Sequence, residues 1–154
     1  MRKRVVGQDE QKKLKTEHDW LDLPSMVQAE MTSEDDNHPI EAALGSGSGW
    51  RSAEAGEQTL RLLFDEPQAI RLIRLVFEEH GERTQEFTLR WSPDGGQTYH
   101  DIARQQYNFS SPDSTREQEE YGVELDGVTA LELSIIPNIS GGDARATLAE
   151  WRVA

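Results

Sequence analysis

A chain of 154 residues is long enough for one domain with a real core, and 35 % hydrophobic residues is low but compatible with a two-layer fold. The absence of cysteine excludes a disulfide framework, a thiolate metal site and a cysteine nucleophile. A formal net charge of −13 repels phosphates, which argues against nucleic acid and anionic membrane as partners.

The charge is unevenly spread. Residues 1–19 hold six Lys or Arg against four acids, whereas the rest holds ten Arg, no Lys and 25 acids. This divides a basic N-terminal tail, residues 1–24, from an acidic body, residues 25–154. The tail opens as Met1-Arg2-Lys3-Arg4, but Val5-Val6-Gly7 gives way to Gln8-Asp9-Glu10, so a signal peptide's apolar region is missing. No run approaches the roughly 18 apolar residues of a membrane span, and a soluble, cytoplasmic chain is expected. From Glu10, the spacing of Leu14, Trp20, Leu21 and Leu23 predicts a partly helical lead-in that Pro24 ends, with Trp20 as its docking residue.

In chain order, residues 25–33 alternate loosely through Met26, Val27, Ala29 and Met31 as a first strand. Ile40 to Leu44 reads as a short turn or helical piece, followed by a loop at Gly45-Ser46-Gly47-Ser48-Gly49. Leu60, Leu62 and Phe64 alternate in a strand that Asp65-Glu66-Pro67 closes. A further strand runs from Ala69 to Glu78, and its phase slip near Leu72-Ile73 predicts a bulge. Phe87, Leu89 and Trp91 alternate with Thr88, Arg90 and Ser92 and run into Pro93-Asp94-Gly95-Gly96, the clearest hairpin in the chain. Its return strand is expected from Thr98 to Tyr107, with a long loop from Asn108 to Arg116. Tyr121, Val123 and Leu125, an Asp126-Gly127 turn, Leu131, Leu133 and Ile135, and a last strand from Ala146 to Val153 around Trp151 complete the pattern.

About eight short strands with no long amphipathic helix define an all-β fold, an eight-stranded antiparallel jelly-roll sandwich being expected. Ser92-Pro93-Asp94-Gly95-Gly96-Gln97-Thr98-Tyr99 is similar to the Asp-box hairpin of sialidase propellers, but one copy cannot build a propeller and is read as a turn. No repeat of 20–50 residues is present.

Ala42-Ala43-Leu44 through Gly49-Trp50-Arg51, the run from Phe64 to Leu75, and Ser-Pro-Asp-Gly-Gly with Tyr99 and Ile102 occur in an order and spacing that resembles the discoidin, or coagulation-factor type C, domain of the galactose-binding-like jelly rolls. The resemblance covers roughly residues 25–154. It implies a ligand site built by loops at one end of the sandwich. A carboxylate present in many sugar-binding members is replaced in Leu44-Gly45-Ser46, so a structural calcium is allowed but unsupported, and no other cofactor is expected. The family's basic strand before the last loop is replaced by Ala130-Leu131-Glu132-Leu133-Ser134-Ile135, which weakens a lipid-binding role further.

On that resemblance, three loops should converge, at 37–51, 79–83 and 104–116. A sugar site needs planar polar groups for hydroxyl pairs and a ring for the sugar's apolar face. The candidate ligand-binding residues are Trp50 and Arg51 from the first loop, His80, Glu82 and Arg83 from the second, and Tyr107, Asn108 and Phe109 from the third. Trp50 reads as a buried anchor or a stacking platform, and Phe109 as an exposed stacking ring. His18, His38, His80 and His100 show no metal-binding spacing, and the acidic run Glu117 to Glu120 reads as the solvated start of a strand. No nucleophile elbow or phosphate-binding loop occurs, so no catalytic residue is assigned. Two readings stand: a non-catalytic module for a small polar ligand, above all a carbohydrate, or an intracellular protein-docking module.

Overall fold

The computed structural model describes residues 20–45 and 47–154. Its eight strands are β1 (Val27–Met31), β2 (Trp50–Ala55), β3 (Gln58–Glu78), β4 (Arg83–Ser92), β5 (His100–Phe109), β6 (Arg116–Ile136), β7 (Arg145–Leu148) and β8 (Glu150–Val153). Two short helices, α1 (Leu23–Met26) and α2 (Glu41–Leu44), precede β2. The architecture is the expected all-β jelly roll.

Two strands of 21 residues each, β3 and β6, organise the sandwich because each runs through both of its layers. The first half of β3 pairs with β1 and with the second half of β6, where Leu60 faces Leu133. Its second half pairs with β8 and with the first half of β6, where Leu75 lies between Trp151 and Glu119. Beyond the second half of β6 come β4 and then β5 as the layer's edge. A separate ribbon joins β2 to β7.

The continuity of β3 corrects the two-strand expectation. Asp65-Glu66-Pro67 does not end the strand. It forms a bend with register shifts between Leu63 and Gln68, Gln68 and Ile70, and Ile70 and Leu72, the last close to the predicted bulge. Shifts of this kind let a strand change layer without reversing. Asp126-Gly127 is likewise a bend inside β6 rather than a turn between strands. The final segment breaks at Ala149 into β7 and β8.

Alternating side chains from both layers form one core, including Leu60, Leu62, Ile73, Leu75, Phe77, Phe87, Leu89, Leu131, Leu133 and Trp151. Phe77 and Phe87 stack across it with centroids 5.1 Å apart. Leu23 also reaches this core, in a helix that Pro24 starts rather than ends, as proline's fixed φ suits a first turn. Trp20 lies under the Arg74 guanidinium, 5.1 Å from ring centroid to cation; residues 20–22 are not helical, and residues 10–19 of the expected helical lead-in lie outside the described residues.

The Ser-Pro-Asp-Gly-Gly turn is a folding device at the end opposite the candidate site. Ser92 Oγ–H donates to Asp94 Oδ1 (2.7 Å), and Thr98 donates through its backbone N–H (2.9 Å) and its hydroxyl (2.6 Å) to the same carboxylate. These bonds, Thr98's first, hold Asp94 down at about 2, well below the usual carboxylate range. Gly96 takes φ +91°, and a Cβ there would meet Tyr99 Oη at 2.9 Å.

Candidate functional site

Four connections gather at the other end, following β1, β3, β5 and β6. The first is braced by its own acids: Glu34 Oε1 accepts the Ile40 N–H (2.6 Å) and Asp35 Oδ1 accepts the Asn37 N–H (2.9 Å). Arg51 N–H donates to the His38 carbonyl (3.1 Å), which fixes the histidine beside β2. The glycine-serine run is packed rather than linker-like. Gly49 sits at φ +94°, where a Cβ would lie 2.7 Å from the Leu148 carbonyl oxygen, so only glycine lets this loop close on β7.

A cleft of about 220 Å³ opens between that loop, β7 and the connection after β3, bordered by His38, Trp50, Arg51, Glu79, His80 and Thr147, with Glu78 at its edge. Trp50 and Leu148 are buried and supply an apolar floor. Arg51 and His80 are exposed at the rim, and Arg51 has no ion-pair partner among the described residues. Glu79 is fixed from behind: Arg83 Nη2 pairs with its Oε2, and Thr147 Oγ1–H donates to the same oxygen (3.2 Å). Burial pulls the Arg83 guanidinium below the ordinary arginine value; Glu79 opposes that shift and nearby Arg51 adds to it. The result is a set of fixed acceptors and donors over an apolar floor, suited to hydrogen-bonding hydroxyls.

The predicted residues do not form one site. Trp50, Arg51 and His80 line this cleft, whereas Glu82, Arg83, Asn108 and Phe109 border a second hollow of about 410 Å³ together with Asn138 and Ser140. Arg83 separates the two as the residue that positions Glu79. Tyr107 borders neither: its hydroxyl donates to the Arg116 carbonyl (3.0 Å) and its ring meets Phe109 edge-on.

Two expectations are corrected here. Asn108 and Phe109 belong to β5, not to a loop, because Thr84 pairs with Asn108 and Arg83 with Phe109 along the β4–β5 ladder. Phe109 is 2 % exposed, and Asn108 Oδ1 is occupied by the Thr84 hydroxyl, so neither is free to meet a sugar as assigned. Of the two readings of Trp50, its 1 % exposure selects the buried anchor. The acidic run does start a strand, β6, but it is not solvated throughout, since Glu117 is 3 % exposed and its Oε1 lacks a hydrogen-bond partner.

Sequence reasoning missed His38, Glu78, Glu79 and Thr147. His38 lies in an acidic loop with no spacing signal, and Thr147 sits in what reads as an ordinary core strand. Glu78 reads as the last residue of a strand, and only the position of Glu79, directly after that apolar run, marks it as a loop start. No three His, Asp or Glu gather as a metal site among the described residues, and Glu34 and Asp35 of the first loop each accept a backbone N–H.

No protein-family profile and no curated protein sequence matches the chain. Solved structures of the same fold do. The family 32 carbohydrate-binding module of NanJ from Clostridium perfringens, in complex with galactose, superposes with a TM-score of 0.62 at 16 % identity, over 86 % of this chain and 96 % of that one. A family 32 module of the same organism's GH89 protein, in complex with GalNAc-β-1,3-galactose, gives 0.64 at 18 % identity, over 87 % and 98 %. The family 32 module of AlyQ, in complex with 4,5-unsaturated mannuronic acid, gives 0.63 at 14 % identity, over 89 % and 98 %. These matches place the chain in the galactose-binding-like jelly-roll fold, the fold of family 32 carbohydrate-binding modules.

Proposed function

We propose that the chain is a non-catalytic carbohydrate-binding module that holds a single sugar ring in the cleft between His38, Arg51, Glu79, His80 and Thr147. The observation that carries this reading is the cleft itself: both hydrogen-bonding senses converge over the Trp50–Leu148 floor at the loop end of the sandwich. Its volume lies below the roughly 300–1,000 Å³ of pockets for drug-sized ligands, which suits one pyranose ring. The sugars bound by the similar modules, namely galactose, a GalNAc-galactose disaccharide and an unsaturated mannuronic acid, support the ligand class. The cleft holds two carboxylates, Glu78 and Glu79, and one exposed guanidinium, Arg51. Both carboxylates are paired to arginines, Glu78 to Arg116 and Glu79 to Arg83, an arrangement that fixes acceptors and offers no free acid for proton transfer. Among the described residues Ile139 is the only large apolar side chain markedly exposed, at 48 %, so no apolar patch supports the docking reading.

Calorimetric titration with galactose, N-acetylgalactosamine and mannuronic acid tests the reading, and absence of binding to all three would overturn it. Arg51→Ala should weaken sugar binding on the order of tenfold, the loss of one or two hydrogen bonds to a charged donor, while the thermal midpoint stays in place because the side chain is exposed. We also infer that the first loop needs no calcium. EDTA should leave the thermal midpoint unchanged, and a drop that added calcium reverses would contradict this.

A further inference from the structure

We propose that the site accepts an oligosaccharide rather than a lone sugar, with a second ring lying in a trough that continues the cleft past Ser48, Glu78 and Ala149. This rests on the carbohydrate reading above. The trough, about 310 Å³, is bordered by Gly45, Gly47, Arg116, Glu150 and Arg152, and it shares Ser48, Glu78 and Ala149 with the first cleft.

The shared neck is the telling feature. Two of its three side chains are the small ones of Ser48 and Ala149, so among the described residues nothing bulky blocks a glycosidic linkage from crossing. Gly47 keeps the wall low for a packing reason, since a Cβ there would meet Ala42 atoms at 2.9 Å. The third neck residue, Glu78, faces both spaces and is paired with Arg116 on the neighbouring strand.

The trough's polar groups suit hydroxyls. Arg152 Nε pairs with Glu150 (2.8 Å) while its Nη2 donates to the Gly45 carbonyl (2.9 Å), and Arg116 pairs with Glu78 and donates to Gln118 Oε1 (3.3 Å). Two arginine–carboxylate pairs present donors and acceptors side by side with their charges balanced. A neutral sugar ring can share such bonds without a charge of its own, and the half-exposed Arg116 and Glu78 can turn toward it. The ligand class is therefore a neutral glycan of two or more residues, bound along the groove.

The test compares galactose and N-acetylgalactosamine with their di- to tetrasaccharides by calorimetry on the whole chain. Affinity should rise about tenfold from mono- to disaccharide, and Arg116→Ala should bring that ratio to near one. Binding of monosaccharides with no gain on lengthening would overturn the inference and leave the carbohydrate reading intact. A length-dependent gain that survives Arg116→Ala would also overturn it, because the second ring would then lie elsewhere. Failure of every saccharide to bind would instead overturn the carbohydrate reading on which this one rests.

Discussion

Glu117→Gln should make the protein more stable at pH 8 and nearly unchanged at pH 5. Glu117 points into the sandwich from the first half of β6, opposite Phe77 and on the same strand face as Glu119 and Tyr121. Burial, then the Glu119 carboxylate beside it, pushes its pKa from 4.5 up to about 8. A carboxyl raised in the folded state binds a proton that the unfolded chain has already released. Its contribution is therefore complete below the unfolded value, near 4.5, and is lost as pH rises toward 8. Across that window one extra bound proton gives a slope of up to about 1.4 kcal/mol per pH unit. Glutamine keeps the shape and cannot ionise, so the slope of the variant should be shallower by that amount. Urea denaturation at several pH values measures it, and parallel curves for the two proteins would rule the account out. Tyr121, raised to about 12 mainly by burial, stays protonated throughout the window and adds no slope of its own.

Phe109→Ala should cost about 3–5 kcal/mol of stability, a large share of the 5–15 kcal/mol that holds a typical domain together. The ring is 2 % exposed and packs edge-on against Tyr107 at 4.8 Å, so its removal leaves a cavity near the start of β4. The denaturation midpoint should fall sharply, and sugar affinity of the remaining folded fraction should change little because the ring lies outside the cleft. Unaltered stability with lost sugar binding would mean that Phe109 is a surface stacking residue after all.

The two variants show where the sequence was readable and where it was not. Phe87 and Leu89 alternate with polar neighbours on a strand with one buried face, and both lie in the core as the period of two requires. The glycines and aspartate of the hairpin turn were equally plain, because their conformations are tied to residue type. Phe109 misled because β5 is an edge strand: Arg104, Gln105 and Gln106 are all exposed, and a strand so polar blends into the loop that follows. Asp65-Glu66-Pro67 misled because a bend between layers uses the same residues as a chain reversal. Glu117 could not have been read at all, since nothing local distinguishes a buried acid from three neighbours of similar polarity. At the site, Arg51 and His80 were legible as polar residues flanking loops. Thr147 and Glu79 were not, because their roles arise only where β7 passes the end of β3 and Arg83 reaches the same carboxylate.

The sharing of β3 and β6 between layers has a kinetic side. Neither layer can melt alone without pulling apart a strand that the other depends on, so amide exchange in the two layers should report one cooperative opening. Their pairing sets Gln58 beside Ile135 and Glu78 beside Arg116, which requires distant parts of the chain to meet before either layer exists. A topology so dominated by remote partners folds slowly, on the order of milliseconds to seconds, and both ends of the proposed groove come into register only with that last closure.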